Sequence, residues 1–172
     1  MMKDVSPESR RPAALDRQAQ EGADGLLGKI WDCRPERAPD FLIGPPGDPY
    51  MERWYLTPRN DQFNVYYHRI LHDDDDRALH DHPWPSLSVV CAGRLREVTE
   101  AGARELARGD VVFRTGEFAH RLELVGGKPA ETLFITGPNY RDWGFLCPQG
   151  WRRWDLFVDP ANPGAPGAGC GE

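Results

Sequence analysis

The stretch "LHDHPWPS", Leu79 to Ser86, sets two histidines around one aspartate, ahead of two prolines and a tryptophan. On an extended strand His80 and His82 leave from the same face, because side chains alternate with a period of two. Two neutral imidazoles side by side begin a divalent-metal site, although a polar pair on a solvated strand would look the same. Asp81 alternates away from both and is expected to point away from the side that they share, in a supporting or structural role and not as a ligand.

The surroundings of this stretch read as short strands broken by turns. "MERWYLT", "FNVYYHRIL", "LSVVCAG", "RLREVTE", "GDVVFRT", "AHRLELV" and "AETLFITGP" are rich in aromatic and β-branched residues and are separated by Gly- and Pro-bearing turns. Close spacing of this kind points to an all-β sandwich or barrel. "VVF", after the turn at Gly109-Asp110, reads as a buried strand. The expected organisation is an N-terminal tail and short helix over 1–40, a barrel over 41–160 and a flexible C-terminal tail over 161–172. The helix rests on Leu26, Leu27, Ile30 and Trp31 at helical spacing. The tail rests on the Gly- and Pro-rich "DPANPGAPGAGCGE".

Composition narrows the function classes. The chain has 172 residues, 40% of them hydrophobic and 28% charged, ordinary values for one globular domain. A net charge of -6 argues against nucleic acid as a partner. No apolar run is long enough to span a membrane and no signal-peptide core opens the chain, so a soluble cytoplasmic protein is expected. The cysteines, Cys33, Cys91, Cys147 and Cys170, are scattered, and their spacing indicates neither a disulfide framework nor a zinc finger. Cys91 reads as a small core residue.

A third histidine, His120, follows "GDVVFRTGEFA" and enters the next strand-like run. In a small barrel that strand can lie beside the one carrying His80 and His82. Three imidazoles meeting there would leave metal positions open, as catalytic sites do.

These motifs resemble those of the cupin superfamily, small β-barrels of the double-stranded β-helix or jelly-roll type with a metal in the middle. His80, His82 and Gly93 fit the His-x-His and closing glycine of the first cupin motif, with Ser86 where a glutamate usually stands. Gly109 to His120 matches the second motif in length and at both ends, with Thr115 and Glu117 in place of its usual proline and glycine. The resemblance covers roughly residues 51 to 158 and extends to small bacterial and phage cupins through "RWYLTPRN" and "FITGPNYRDWGFLCPQGWRRW". It implies a three-histidine metal site, His80, His82 and His120, without the glutamate. Among cupins such sites resemble those of thiol dioxygenases and the diketone-cleaving dioxygenase, which use ferrous iron. The implied function is a non-haem Fe(II) oxygenase acting on a small, anionic metabolite. Zinc, manganese or nickel in a redox-silent isomerase, lyase or hydrolase is the alternative, and a non-catalytic small-ligand barrel is another. Cupins often pair through their barrels, so a homodimer is the default expectation.

The remaining candidates are weighed by burial cost. An inward arginine is expensive unless it meets an anion. Arginines turned outward and paired with acids are the ordinary arrangement, and Arg53 and Arg114 are the chosen exceptions, expected to meet a substrate anion. Tyr67 is the candidate among Tyr55, Tyr66 and Tyr67 for offering a hydroxyl to substrate. Alternation puts His68 with Ile70 on one face and Tyr67 with Arg69 on the other. Ser86 either meets a metal-bound water or fills the space the glutamate vacates. The run Asp73 to Asp76 lacks the spacing of a calcium loop and reads as solvated. The aromatics of "WGFLCPQGWRRW" read as a cap on the barrel.

Overall fold

A computed structural model describes residues 34–75, 77–161 and 165–171. The N-terminal tail and the short helix expected around Leu26 to Trp31 lie outside the described residues. Twelve strands follow one another among those residues: β1 (Phe41–Ile43), β2 (Met51–Tyr55), β3 (Asn64–Ile70), β4 (Leu79–His80), β5 (Ser86–Ala92), β6 (Arg94–Thr99), β7 (Gly102–Ala107), β8 (Val111–Arg114), β9 (Arg121–Leu124), β10 (Ala130–Thr136), β11 (Gly144–Cys147) and β12 (Gly150–Arg153). A single-turn helix, α1 (Trp154–Phe157), closes the domain.

Six strands pair in the order β1-β2-β3-β10-β5-β8, all antiparallel. Opposite them lie β12-β11-β4 and β7-β6-β9. An antiparallel bridge between His80 and His120 joins these two ladders into a second face. The result is an all-β jelly-roll. Its core is shared by both faces: Met51, Ile70, Val90, Val112 and Ala130 from the first, and Leu95, Leu106 and Leu124 from the second.

Alternation decides what enters the barrel. Along β8 only Val112 and Arg114 turn inward; Val111 and Phe113 face outward, Phe113 with 66% of its surface exposed. The "VVF" run expected to be buried is therefore buried only at its centre, because an edge strand covers one side alone. The acidic run is also not simply solvated. Asp73 and Asp74 accept the backbone N–H groups of Leu124 and Leu122, and Asp74 takes the Tyr50 hydroxyl as well. These carboxylates complete the backbone bonding of β9 where no neighbouring strand does so.

The aromatic cap forms as a second cluster, with Phe145 stacked on Phe157 at 3.7 Å and Trp143 on Trp154 at 5.8 Å. Part of the segment expected to be a loose tail joins it. Val158 bridges to Pro166, Cys170 is buried, and a disulfide ties Cys170 to Cys147 of β11. Cysteine spacing in the sequence carries no signal of a link across 23 residues, since the fold alone brings the two together.

Gly93 is where the chain leaves the first face for the second. Its φ is +73°, and a Cβ there would stand 2.5 Å from the Pro129 carbonyl oxygen. The register between β5 and β10 also shifts at this end, so the crossing combines a bulge with a left-handed glycine. Gly93→Ala is expected to cost about 2 kcal/mol or more in urea unfolding. A loss under about 0.5 kcal/mol would mean that this crossing is not sterically determined.

Candidate metal centre

His80 and His120 are brought together by their own backbones. Each amide donates to the other's carbonyl at 2.9 Å, so the two side chains stand side by side. His82 follows two residues on, on the same side of the chain, with its amide bonded to the Gly116 carbonyl at 2.9 Å. One nitrogen from each of the three rings lies within 4.8 Å of the others. Trp84 stacks on His82 at 4.8 Å and limits its rotation.

Burial disfavours protonation of these rings. It lowers His80 to about 4 and holds His82 well below the ordinary histidine range, with the neighbouring imidazoles adding to the effect on both. At neutral pH both therefore offer lone pairs.

The third ring is oriented by a group that sequence reasoning missed. Glu97, on β6, has none of its side chain exposed, and its Oε1 accepts from His120 Nδ1 at 2.9 Å. The same oxygen takes Arg114 Nε at 2.6 Å, while Oε2 takes Arg104 Nε at 2.7 Å. Burial pushes this carboxyl up, but the bonds from His120, Arg114 and Arg104 outweigh it and hold it at about 2. An ionised Glu97 requires His120 Nδ1 to be the donor, which turns His120 Nε2 toward the other two rings. That nitrogen faces His82 Nε2 at 3.0 Å. A signal for Glu97 does exist: in "RLREV" it shares the inward register with Leu95, an odd place for a carboxylate unless it has partners.

Arg114 and Arg53 both line the cavity beside the histidines. Arg114, 3% exposed, is compensated by Glu97 and gives its Nη1 to Ser88 Oγ at 3.0 Å, so its anion comes from the protein itself. Arg53 has no acidic partner among the described residues; its Nε donates to His68 Nε2 at 2.9 Å. Tyr67 does not line this cavity. It leaves β3 on the opposite face from His68, packs edge-on against Trp54 and donates its hydroxyl to Glu131 at 2.8 Å. The structure thus separates Tyr67 from the histidines and gathers Arg53 and Arg114 with them.

Asp81, as alternation requires, turns away. It accepts from the Gly144 amide, Trp151 Nε1 and Arg141. Arg141 in turn reaches the carbonyls of His82 and Gly116, so the aspartate between the two histidines braces the turns that carry them.

The fit of a divalent cation is tested by the donors present. Three imidazoles converge, two are kept uncharged by burial, and the third has its tautomer set by a carboxylate, a common arrangement behind metal-bound histidine. Ser86, at the position of the missing glutamate, shares the inward register of β5 with Ser88. Its buried Oγ has no hydrogen-bond partner among the described residues. A bound ion with its waters would supply one. The donor set suits iron, zinc, copper or nickel alike.

Fold and site together define an all-β barrel with a three-histidine group able to hold a metal. No family model and no curated protein matches the chain. Among solved structures it is similar in fold to a sugar phosphate isomerase of the cupin superfamily from Silicibacter pomeroyi, with 18% identity over 62% of this chain and 78% of that one, TM-score 0.46. It is also similar to the cupin-2 domain of an XRE family transcriptional regulator from Enterobacter cloacae, with 18% identity over 54% and 98% of the two chains, TM-score 0.42. A cupin-2 domain protein from Shewanella frigidimarina shares 13% identity over 50% and 79%, TM-score 0.43. No helix among the described residues is long and apolar enough to cross a membrane.

Glu97→Gln removes the charge that Arg114 and His120 share. Unfolding by urea is expected to show a loss of about 3 kcal/mol, the scale of breaking a buried pair. Metal titration of the folded variant is expected to show affinity lower by roughly 10- to 100-fold. Unchanged affinity would mean that Glu97 does not orient His120.

Proposed function

We propose that this chain is a mononuclear metal-dependent enzyme, most simply a ferrous oxygenase acting on a small anionic metabolite. The observation that carries the proposal is the convergence of His80, His82 and His120 without a carboxylate in the group. Three neutral donors leave the ion's charge uncompensated and positions open for oxygen and for substrate. A ferrous ion, when bound, supplies the one-electron and dioxygen chemistry that side chains cannot.

The chain's own residues would do the rest. His80, His82 and His120 would hold the ion, and Glu97 would keep His120 Nε2 turned toward it. Trp84 and Phe134 wall the cavity and exclude water, and Trp84 also braces His82. Arg114 is occupied by Glu97 and Ser88, so its part is to hold the metal end of the barrel, not to bind substrate. Arg53 is the cation available to orient an anionic substrate.

Elemental analysis of anaerobically purified protein tests this reading, together with His80→Ala and His120→Ala. About one iron per chain, absent from both variants, is the expected result. Zinc, manganese or nickel at that ratio would overturn the oxygenase reading in favour of redox-silent Lewis-acid chemistry. Absence of any metal would overturn both and leave a ligand-binding barrel.

A further inference from the structure

The inner face of the six-stranded sheet carries a polar row that the histidine group does not use. Arg53 on β2 is registered directly against His68 on β3, and His68 against Thr132 on β10. All three line the cavity that His80, His82 and His120 line from the opposite face. The barrel therefore has one end for a cation and, across the core, an end built around a guanidinium.

That guanidinium is only partly satisfied. His68 is buried, stacked between Tyr66 at 5.8 Å and Phe134 at 5.1 Å, so its ring cannot turn away. Burial, and then the Arg53 charge, keep it uncharged, so its Nε2 accepts the Arg53 Nε–H at 2.9 Å. The Tyr66 ring lies 4.9 Å beneath the guanidinium carbon. With Nε engaged and one flat face covered, the Nη1/Nη2 end remains. Neither Nη has an acceptor among the described residues.

The charge count narrows what can meet it. Arg114 is paired with Glu97, and Asp74, the carboxylate also lining the cavity, keeps its charge but is turned to the Tyr50 hydroxyl and the Leu122 amide and not to Arg53. Arg53 is therefore the one guanidinium lining the cavity that has no carboxylate partner among the described residues, and it offers a single two-donor fork of the width of one carboxylate. The cavity volume is about 90 Å³. At a water's liquid share of roughly 30 Å³ that is room for about three waters, hence for a ligand of a few heavy atoms.

We propose that Arg53, set in place by His68, anchors a carboxylate end-on through its two Nη groups, and that the barrel's ligand is a short-chain monocarboxylate. The inference rests on the reading of the barrel as a small-molecule site and names the class of molecule that site takes. His68 is a positioning residue for Arg53: the imidazole directs the fork, and the fork meets the ligand.

Isothermal titration of the full chain after chelator treatment tests it, with acetate, propanoate and inorganic phosphate as probes. Wild type is expected to bind the carboxylates in preference to phosphate. Arg53→Met is expected to lose at least about tenfold in affinity, the scale of one charge-assisted pair. Arg53→Lys keeps the charge but not the fork; it is expected to lose severalfold, and it serves if the Met variant fails to fold. Binding of phosphate ahead of both carboxylates, wild-type affinity in the folded Arg53 variants, or no carboxylate binding at all would overturn the proposal. Arg53-dependent carboxylate binding by a chain that purifies without metal would leave this inference standing while the oxygenase reading falls.

Discussion

A carboxylate with no exposed surface, Glu97, organises one end of this barrel. It receives His120, Arg114 and Arg104 at once, and so ties β6 to β8, to the residue that opens β9 and to β7. A lone ion at that depth would be prohibitive, and a lone Arg114 equally so; together, with Ser88 and Arg104 taking further bonds, they are tolerated. Clusters of this kind add little net stability compared with well-packed apolar residues. What they supply is definition: His120 has one ring orientation, with Nδ1 as the donor, because Glu97 is ionised.

The other supports of the site follow the same logic at lower cost. Asp81 and Arg141 brace the turns around His82, and Asp73 and Asp74 complete the backbone bonds of β9. Charged residues at these places hold the backbone around the three imidazoles. The cavity itself is asymmetric. Histidines line one face of the sandwich, and the Arg53–His68 pair lines the other. A molecule held between them would touch both.

Much of this was legible from the residues, and the failures have physical causes. Period-two alternation places His80 and His82 together and Asp81 apart, and short strands with Gly and Pro turns give the all-β class. His120 is a long-range partner, so its place beside His80 depends on a bridge that spacing cannot reveal; the motif resemblance supplied it. Glu97 was hidden in a run of alternating charges, where its inward register alone marked it. Arg114 turns inward, and the anion it meets is Glu97 of a neighbouring strand, a long-range partner that spacing does not reveal. Tyr67 shares the face of Arg69, and its hydroxyl meets Glu131 on that side of the sheet and not the cavity. The C-terminal segment looked too rich in Gly and Pro to pack. The Cys147–Cys170 link and the stacked aromatics around Phe157 hold part of it regardless.

The central claim is that three imidazoles, and no carboxylate or thiolate, face one ion. X-ray absorption at the edge of the bound metal measures this directly, through the scattering pattern of imidazole rings in the extended fine structure. Three imidazole nitrogens at roughly 2.0–2.2 Å, with oxygen from water in the remaining positions, is the predicted result. A sulfur neighbour, or a shell with fewer than three imidazoles, would contradict it.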